Sequence, residues 1–268
     1  MKVAILGCGN MGKAIISGLL AKFPDVSLVA FDKNDMALTS LPDEAVVLAP
    51  EEWCEKENVP DVVIIAVKPQ DIEETLIPFS ACVENNTFSP LWISIAAGVG
   101  LSTLENYLSS SSKICRVMPN TPALIGEGIS AFAVNGNCSE DDAQTSEDLL
   151  AACGKVVRVP EKMMNAVTGL SGSGPAYVYL FIEALIEGGV AAGLPYAIAR
   201  ECAVQTVIGS ALMLRKNDVN PADLKVKVMS PAGTTVKGLM ALEQNNFKYA
   251  VIKAVVDAAD RSAELGKK

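Results

Sequence analysis

Short, continuous apolar runs recur through the first two-thirds of the chain and stop in the last third. They occupy residues 3–6, 28–31, 62–67, 91–95, 114–118 and 129–134, with a weaker one at 156–159. Apolar runs without polar alternation are what strands buried on both faces of a parallel sheet require. Helical patterns separate them, and strands alternating with helices predict an α/β, doubly wound sheet. A composition boundary near Asn165 predicts two domains, the doubly wound one over 1–164 and an all-helical one over 165–268.

In the helical part Val178, Phe181, Ile182, Leu185 and Ile186 follow the spacing of one helical face. Pro175 suits a first helical turn, and Gly193-Leu194-Pro195 reads as a stop. Further helices are expected over 196–214, after Thr235, and over about 248–265. Much of the apolar surface of such a bundle needs another subunit to cover it. Residues 109–112, all serine, read as a mobile loop.

The chain of 268 residues has no histidine. That excludes Ser-His-Asp triads, Cys-His pairs and His-ligated metals, and no metal site is expected. Half of the residues are hydrophobic, enough for a real core. A formal charge of −9 argues against nucleic acid or an anionic membrane as partner. Seven scattered cysteines without a CxxC fit a reducing compartment, and the protein is expected to be cytoplasmic. Ile5-Leu6-Gly7-Cys8 superficially fits a lipoprotein cleavage site, but too few residues separate Lys2 from Cys8 for a signal peptide. The apolar stretch 178–194 carries Glu183 and Glu187, so no membrane span is expected.

Gly7-Cys8-Gly9-Asn10-Met11-Gly12 has the GxGxxG spacing, directly after a strand and opening a helix. Its glycines allow a tight turn and close backbone approach, and the helix start offers free N–H groups to a pyrophosphate. Gly7, Gly12 and Lys13 also have the Walker A spacing, but Ala14 lacks the hydroxyl that ligands magnesium, which disfavours an NTPase. Asp32 stands 20 residues after Gly12, where a Rossmann domain places the carboxylate that binds a ribose hydroxyl of NADH. Lys33 follows, and can instead neutralise the additional phosphate of NADPH, so both cofactors stay open. Ala66-Val67-Lys68-Pro69 and Ile95-Ala96-Ala97-Gly98 end two further strands, where such sheets bind ligands.

Two glycine and hydroxyl clusters lie in the helical part. One runs from Gly169 to Tyr177, the other from Ser230 to Thr235. Each offers hydroxyls and unpaired N–H groups at a helix start, which suits a small carboxylate. With Leu6 to Gly12, Ala66 to Pro69, Ala96 to Gly98, Met118-Pro119-Asn120-Thr121-Pro122 and Val228 to Thr235, the chain resembles pyrroline-5-carboxylate reductase over essentially its whole length. The two C-terminal motifs are the specific ones.

The resemblance implies a Rossmann domain followed by a helical dimerisation domain, with homodimers often assembled into a ring of five dimers. It implies NADPH as cofactor in most members and NADH in some, with pyrroline-5-carboxylate and L-proline as substrate and product. Cofactor contacts are then expected at Leu6, Gly7, Cys8, Gly9, Asn10, Met11, Gly12, Asp32, Lys33, Ala66, Val67, Lys68, Pro69, Ala96, Ala97 and Asn120. The family pattern puts Thr235 beside the imine nitrogen as the catalytic group, and Ser230, Gly233 and Thr234 around the carboxylate. Ala232 departs from the usual glycine, and Asp32 from the usual neutral residue. A basic imine can carry its own proton, so hydride transfer to it requires no histidine. Two rival readings are a 3-hydroxyacid-type dehydrogenase, whose helical-domain lysine is missing from 167–194, and a non-catalytic NAD(P)-binding sensor or scaffold.

Overall fold

The strand period of two decides how the sheet is filled. In β1 (Lys2–Leu6) Val3 and Ile5 join one buried cluster while Ala4 and Leu6 join another, so both faces are covered. The same alternation runs through β2 (Ser27–Phe31), where Leu28 and Ala30 oppose Val29. The computed structural model describes residues 1–53, 55, 59–79, 88–217 and 219–266. The other described strands are β3 (Ala45–Val47), β4 (Val62–Ile65), β5 (Leu91–Ser94), β6 (Lys113–Met118), β7 (Gly128–Val134) and β8 (Gly154–Arg158). They form one sheet in the order β3-β2-β1-β4-β5-β6-β7-β8.

The first cluster packs Ile5, Ile64 and Ile93 against Ile16 and Leu19 of α1 (Asn10–Lys22), and against Leu149 and Leu150 of α3 (Glu140–Leu150). On the other face Leu6, Val63 and Ile65 meet Leu101 and Leu104 of α2 (Leu101–Tyr107) and a group of large aromatics. Phe79 sits 5.7 Å from Trp53, 5.3 Å from Phe88 and 5.5 Å from Trp92, measured between ring centroids. A capping box starts α3: the Ser139 hydroxyl accepts from the Asp142 N–H, and the Asp142 carboxylate accepts from the Ser139 N–H.

The α/β doubly wound architecture is as expected, with two additions. β7 runs antiparallel to β6, while the other pairings are parallel. The link between β6 and β7 holds only a 3-10 turn (Thr121–Ile125), and a parallel crossover needs about a dozen residues with a helix. β3 was not foreseen; it is three residues long, with Val46 and Val47 half exposed at the sheet edge. Residues 109–112 form a tied turn: the Asn137 amide donates to the Ser110 and Ser112 carbonyls at 2.7 and 2.9 Å, and the Asn135 amide to Ser112 at 2.8 Å.

The chain divides into two compact units, residues 1–173 together with the chain from Asp257, and residues 174–256. The sequence boundary near Asn165 falls inside the first of these. The second unit holds α4 (Gly174–Ala191), α5 (Tyr196–Asn217), α6 (Pro221–Lys227), α7 (Thr234–Gln244) and the first part of α8 (Phe247–Leu265). Asn220, whose side chain accepts from the Ala222 N–H, caps α6, and Pro221 opens it. Ile182, Ile186, Ala199 and Ala203 join α4 to α5. Tyr179, Leu180, Ile198, Tyr249 and Ile252 are each more than half exposed.

The expectation of no membrane span rested on 178–194; residues 196–216 of α5 are long and apolar enough to cross one by length and composition, with a mean hydropathy of 1.3. A helix whose apolar surface is covered by another subunit has the same character.

Phe79→Ala removes a ring packed against three others and is expected to destabilise the first unit by about 3–5 kcal/mol. A urea midpoint equal to that of the parent chain would show that the aromatic group contributes little.

Candidate functional site

The turn between β1 and α1 is built by exclusion of side chains. Gly7 has φ +99°, and a Cβ there would lie 2.7 Å from the Ala66 carbonyl carbon. A Cβ on Gly12 would collide with the Gly7 carbonyl. Gly9 differs, because nothing lies within 4 Å of where its Cβ would stand. The first and third glycines therefore close the turn, and the second leaves open space at the start of α1. Gly9 is the N-cap of that helix and supplies no side-chain cap to its first-turn N–H groups.

A cavity of about 460 Å³ opens beside this turn at the carboxyl ends of β1, β2 and β4, where the strand order reverses. Gly7, Gly9, Asp32, Lys33, Ala66, Val67 and Lys68 line it, so the structure brings these expected residues together. Asp32 organises its rim. One carboxylate oxygen accepts the Cys8 N–H at 2.7 Å and the other the Asn34 N–H at 2.8 Å, which ties the glycine turn to the end of β2. Burial and the Asp32 charge push the Cys8 thiol up to about 11, so the backbone of Cys8 is its useful part. Lys13 points to Ser40, bonding its hydroxyl at 2.6 Å, away from the Walker role.

The remaining expected residues fall into three settings. Leu6 is fully buried in β1, Gly12 is buried, and Met11 packs on the first core cluster; Asn10 is exposed in the first turn of α1. Pro69 opens a 3-10 turn (Pro69–Asp71) just past the cavity. Ala96, buried, and Ala97, exposed, follow β5, and Asn120 follows β6. All three follow the carboxyl ends of these parallel strands but lie outside the cavity lining, and the Asn120 side-chain oxygen accepts the Ile129 N–H at 2.9 Å. Phe31, Asn34, Pro50, Asp71, Glu74, Thr75 and Pro78 also line the cavity and were not singled out from the sequence. Asp71 and Glu74 hold Lys33 at 2.9 and 3.3 Å and raise its pKa.

In the second unit, α7 starts at Thr234 with Gly233 as its N-cap and no side-chain cap bond. Gly233 leaves no room for a Cβ against Ser230, whose carbonyl accepts the Gly233 N–H at 2.9 Å. Ser230 and Thr234 are exposed and Thr235 is half-buried. The loop thus presents hydroxyls and uncapped N–H groups together, as a carboxylate site needs. Ala232 has φ +57°, a left-handed conformation that favours glycine.

The other cluster, Gly169 to Tyr177, begins inside helical structure. Residues 168–172 form a π-helical turn in the first unit, in which the Thr168 hydroxyl donates to the Met164 carbonyl and Ser171 to that of Val167. Those hydroxyls are engaged by the helix itself.

Residues 161–265 match the family described as pyrroline-5-carboxylate reductase dimerisation, and residues 2–98 match that described as NADP oxidoreductase, coenzyme F420-dependent. A pyrroline-5-carboxylate reductase of Synechocystis is 41% identical over 100% of this chain and 99% of its own length. The chain belongs to the pyrroline-5-carboxylate reductase family. A relative from Arabidopsis thaliana is 40% identical over 99% of this chain and 96% of its own length. The solved Plasmodium falciparum pyrroline carboxylate reductase with NADP bound superposes with a TM-score of 0.86 at 34% identity, covering 99% of this chain and 98% of that one. For the Coxiella burnetii reductase the values are 0.90, 30%, 98% and 97%. Membership sets aside the hydroxyacid-dehydrogenase and sensor readings, and the dimerisation match makes the helical part an assembly element of a homo-oligomer.

An L residue held left-handed costs about 1–2 kcal/mol, and glycine's added freedom when unfolded offsets about 0.4–1. Ala232→Gly is therefore expected to stabilise the protein by about 0.5–1 kcal/mol. A lowered urea midpoint in that variant contradicts this account of the loop.

Proposed function

We propose that this protein reduces the C=N bond of pyrroline-5-carboxylate to give L-proline, with NADPH as the reductant and NADH as an alternative. The observation that carries the reading is full-length likeness to reductases of that name, together with an open, glycine-lined cavity at the β1–α1 turn.

The chain's own groups fit a dinucleotide. Uncapped N–H groups at the start of α1 face the open space at Gly9 and suit a pyrophosphate. Asp32 and Lys33 stand where the adenosine ribose is read, and Ala66, Val67 and Lys68 continue the floor of the cavity. Leu6, Pro69, Ala96, Ala97 and Asn120 extend this set along the strand ends. When bound, the cofactor supplies a hydride to the imine carbon.

Thr235 is assigned the imine nitrogen: its hydroxyl hydrogen-bonds that atom and fixes the face of the ring presented for reduction. The proton on nitrogen comes from solvent or is already carried by the iminium. Ser230, Gly233 and Thr234 hold the carboxylate, with the positive end of the α7 dipole adding to their hydrogen bonds. Orienting the two reactants can contribute about 7–11 kcal/mol to lowering the barrier, so a chain without an imidazole suffices.

The working division is a nucleotide-binding domain over 1–164 and a substrate-binding and dimerisation domain over 165–268. Two chains pair through the helices, and five such dimers close a ring. The protein works in the cytoplasm, where its scattered thiols stay reduced.

The test is NADPH oxidation on adding pyrroline-5-carboxylate, with proline-dependent NADP reduction at alkaline pH as the reverse. NADPH binding without turnover in either direction overturns the proposed activity. Thr235→Ala is expected to lower kcat/KM by roughly tenfold to a few hundredfold with cofactor affinity retained, by comparison with loss of a transition-state donor. Parent-like kinetics in that variant remove Thr235 from the mechanism.

A further inference from the structure

The cavity beside the glycine turn carries an ion-pair cluster that the proposed reaction does not use. Lys33 leaves the end of β2 and reaches across to residues 38 and 41 positions later in the chain, Asp71 and Glu74, which follow β4. Its ammonium lies 2.9 Å from Asp71 Oδ1 and 3.3 Å from Glu74 Oε2. Glu74 and Lys33 are largely exposed, with side chains 75% and 60% accessible, while Asp71 is 25% accessible. Counting Asp32, three carboxylates and two ammonium groups, those of Lys33 and Lys68, line one cavity.

A basic side chain just past the end of the second strand is the group that can accept the adenosine 2′-phosphate of NADPH, whereas NADH presents only a hydroxyl there. A phosphate monoester brings about −1.5 to −2 charges at neutral pH. Lys33 is the cation in that position, and two acids already hold it. The ion pairs of Lys33 are with Asp71 and Glu74, while the two Asp32 oxygens accept the Cys8 and Asn34 N–H groups.

We infer that Asp71 and Glu74 are specificity-determining residues that compete with the 2′-phosphate of NADPH for Lys33. NADPH then binds only by displacing Lys33 from its acidic partners. NADH leaves the cluster intact. The pair thus narrows the advantage of NADPH over NADH without touching the reacting end of either cofactor. This inference rests on the dinucleotide reading of the cavity and not on the identity of the imine substrate.

The experiment is a set of fluorescence titrations of the whole protein with NADPH and with NADH at low ionic strength, which need no turnover. In Asp71→Asn/Glu74→Gln the ratio of the NADH Kd to the NADPH Kd is expected to rise roughly three- to tenfold, the range for two exposed ion pairs. In Lys33→Ala that ratio falls below the parent value, and adding the two acid substitutions to Lys33→Ala leaves it where it was. An unmoved ratio in the acid double variant overturns the inference. So does an equal rise in the presence and absence of Lys33, which would make the acids a general negative field. If neither dinucleotide binds the parent protein, the cofactor reading is overturned and this inference with it. Normal titrations with no pyrroline-5-carboxylate reduction overturn only the proposed reaction.

Discussion

The close approach of the glycine turn to the strand beside it sets the geometry of the whole sheet edge. Gly12 lies against the Gly7 carbonyl and Gly7 against Ala66, so β1, α1 and the end of β4 are locked at distances no side chain permits. Asp32 then fastens the same turn to β2 through the Cys8 N–H. The cavity exists because these three strand ends are held together and because Gly9, alone of the three glycines, faces space.

The two functional segments use the same physics in different ways. The first turn of α1 and that of α7 both begin after glycine, and neither has a side-chain cap. In most helices a Ser, Asp or Asn fills that role, as Ser139 does for α3 and Asn220 for α6. Leaving the N–H groups uncapped is unfavourable for the free protein and favourable once an anion arrives. The absence of histidine fits the proposed reaction, in which oriented backbone dipoles and hydroxyls would act on a substrate that carries its own proton.

Strands buried on both faces were legible because their residues are apolar without alternation; β4, with Val62 to Ile65, is the clearest. β3 was not, since only Ala45 of its three residues is buried. The direction of β7 was equally hidden, because it follows from the length of the preceding link and not from the strand's own residues. In the site, the glycine turn, Asp32 and Lys33 could be read from spacing. Asp71 and Glu74 could not, because folding alone brings them to Lys33. In the cluster at 169–177 the Ser171 hydroxyl bonds back to a carbonyl one turn earlier, a helical use of serine that the glycine-rich pattern does not reveal.

The last helix has a consequence for how the protein is made. α8 begins in the second unit, yet from Asp257 it packs with the first, where the Ser262 hydroxyl donates to Asn165 at 2.9 Å and Gly266 meets the Gly98 carbonyl. A chain emerging from the ribosome in N-to-C order therefore carries an unfinished first unit until residues beyond 256 appear. The first unit is therefore completed only after the second has been synthesised, and a cut before residue 257 leaves it without its last segment.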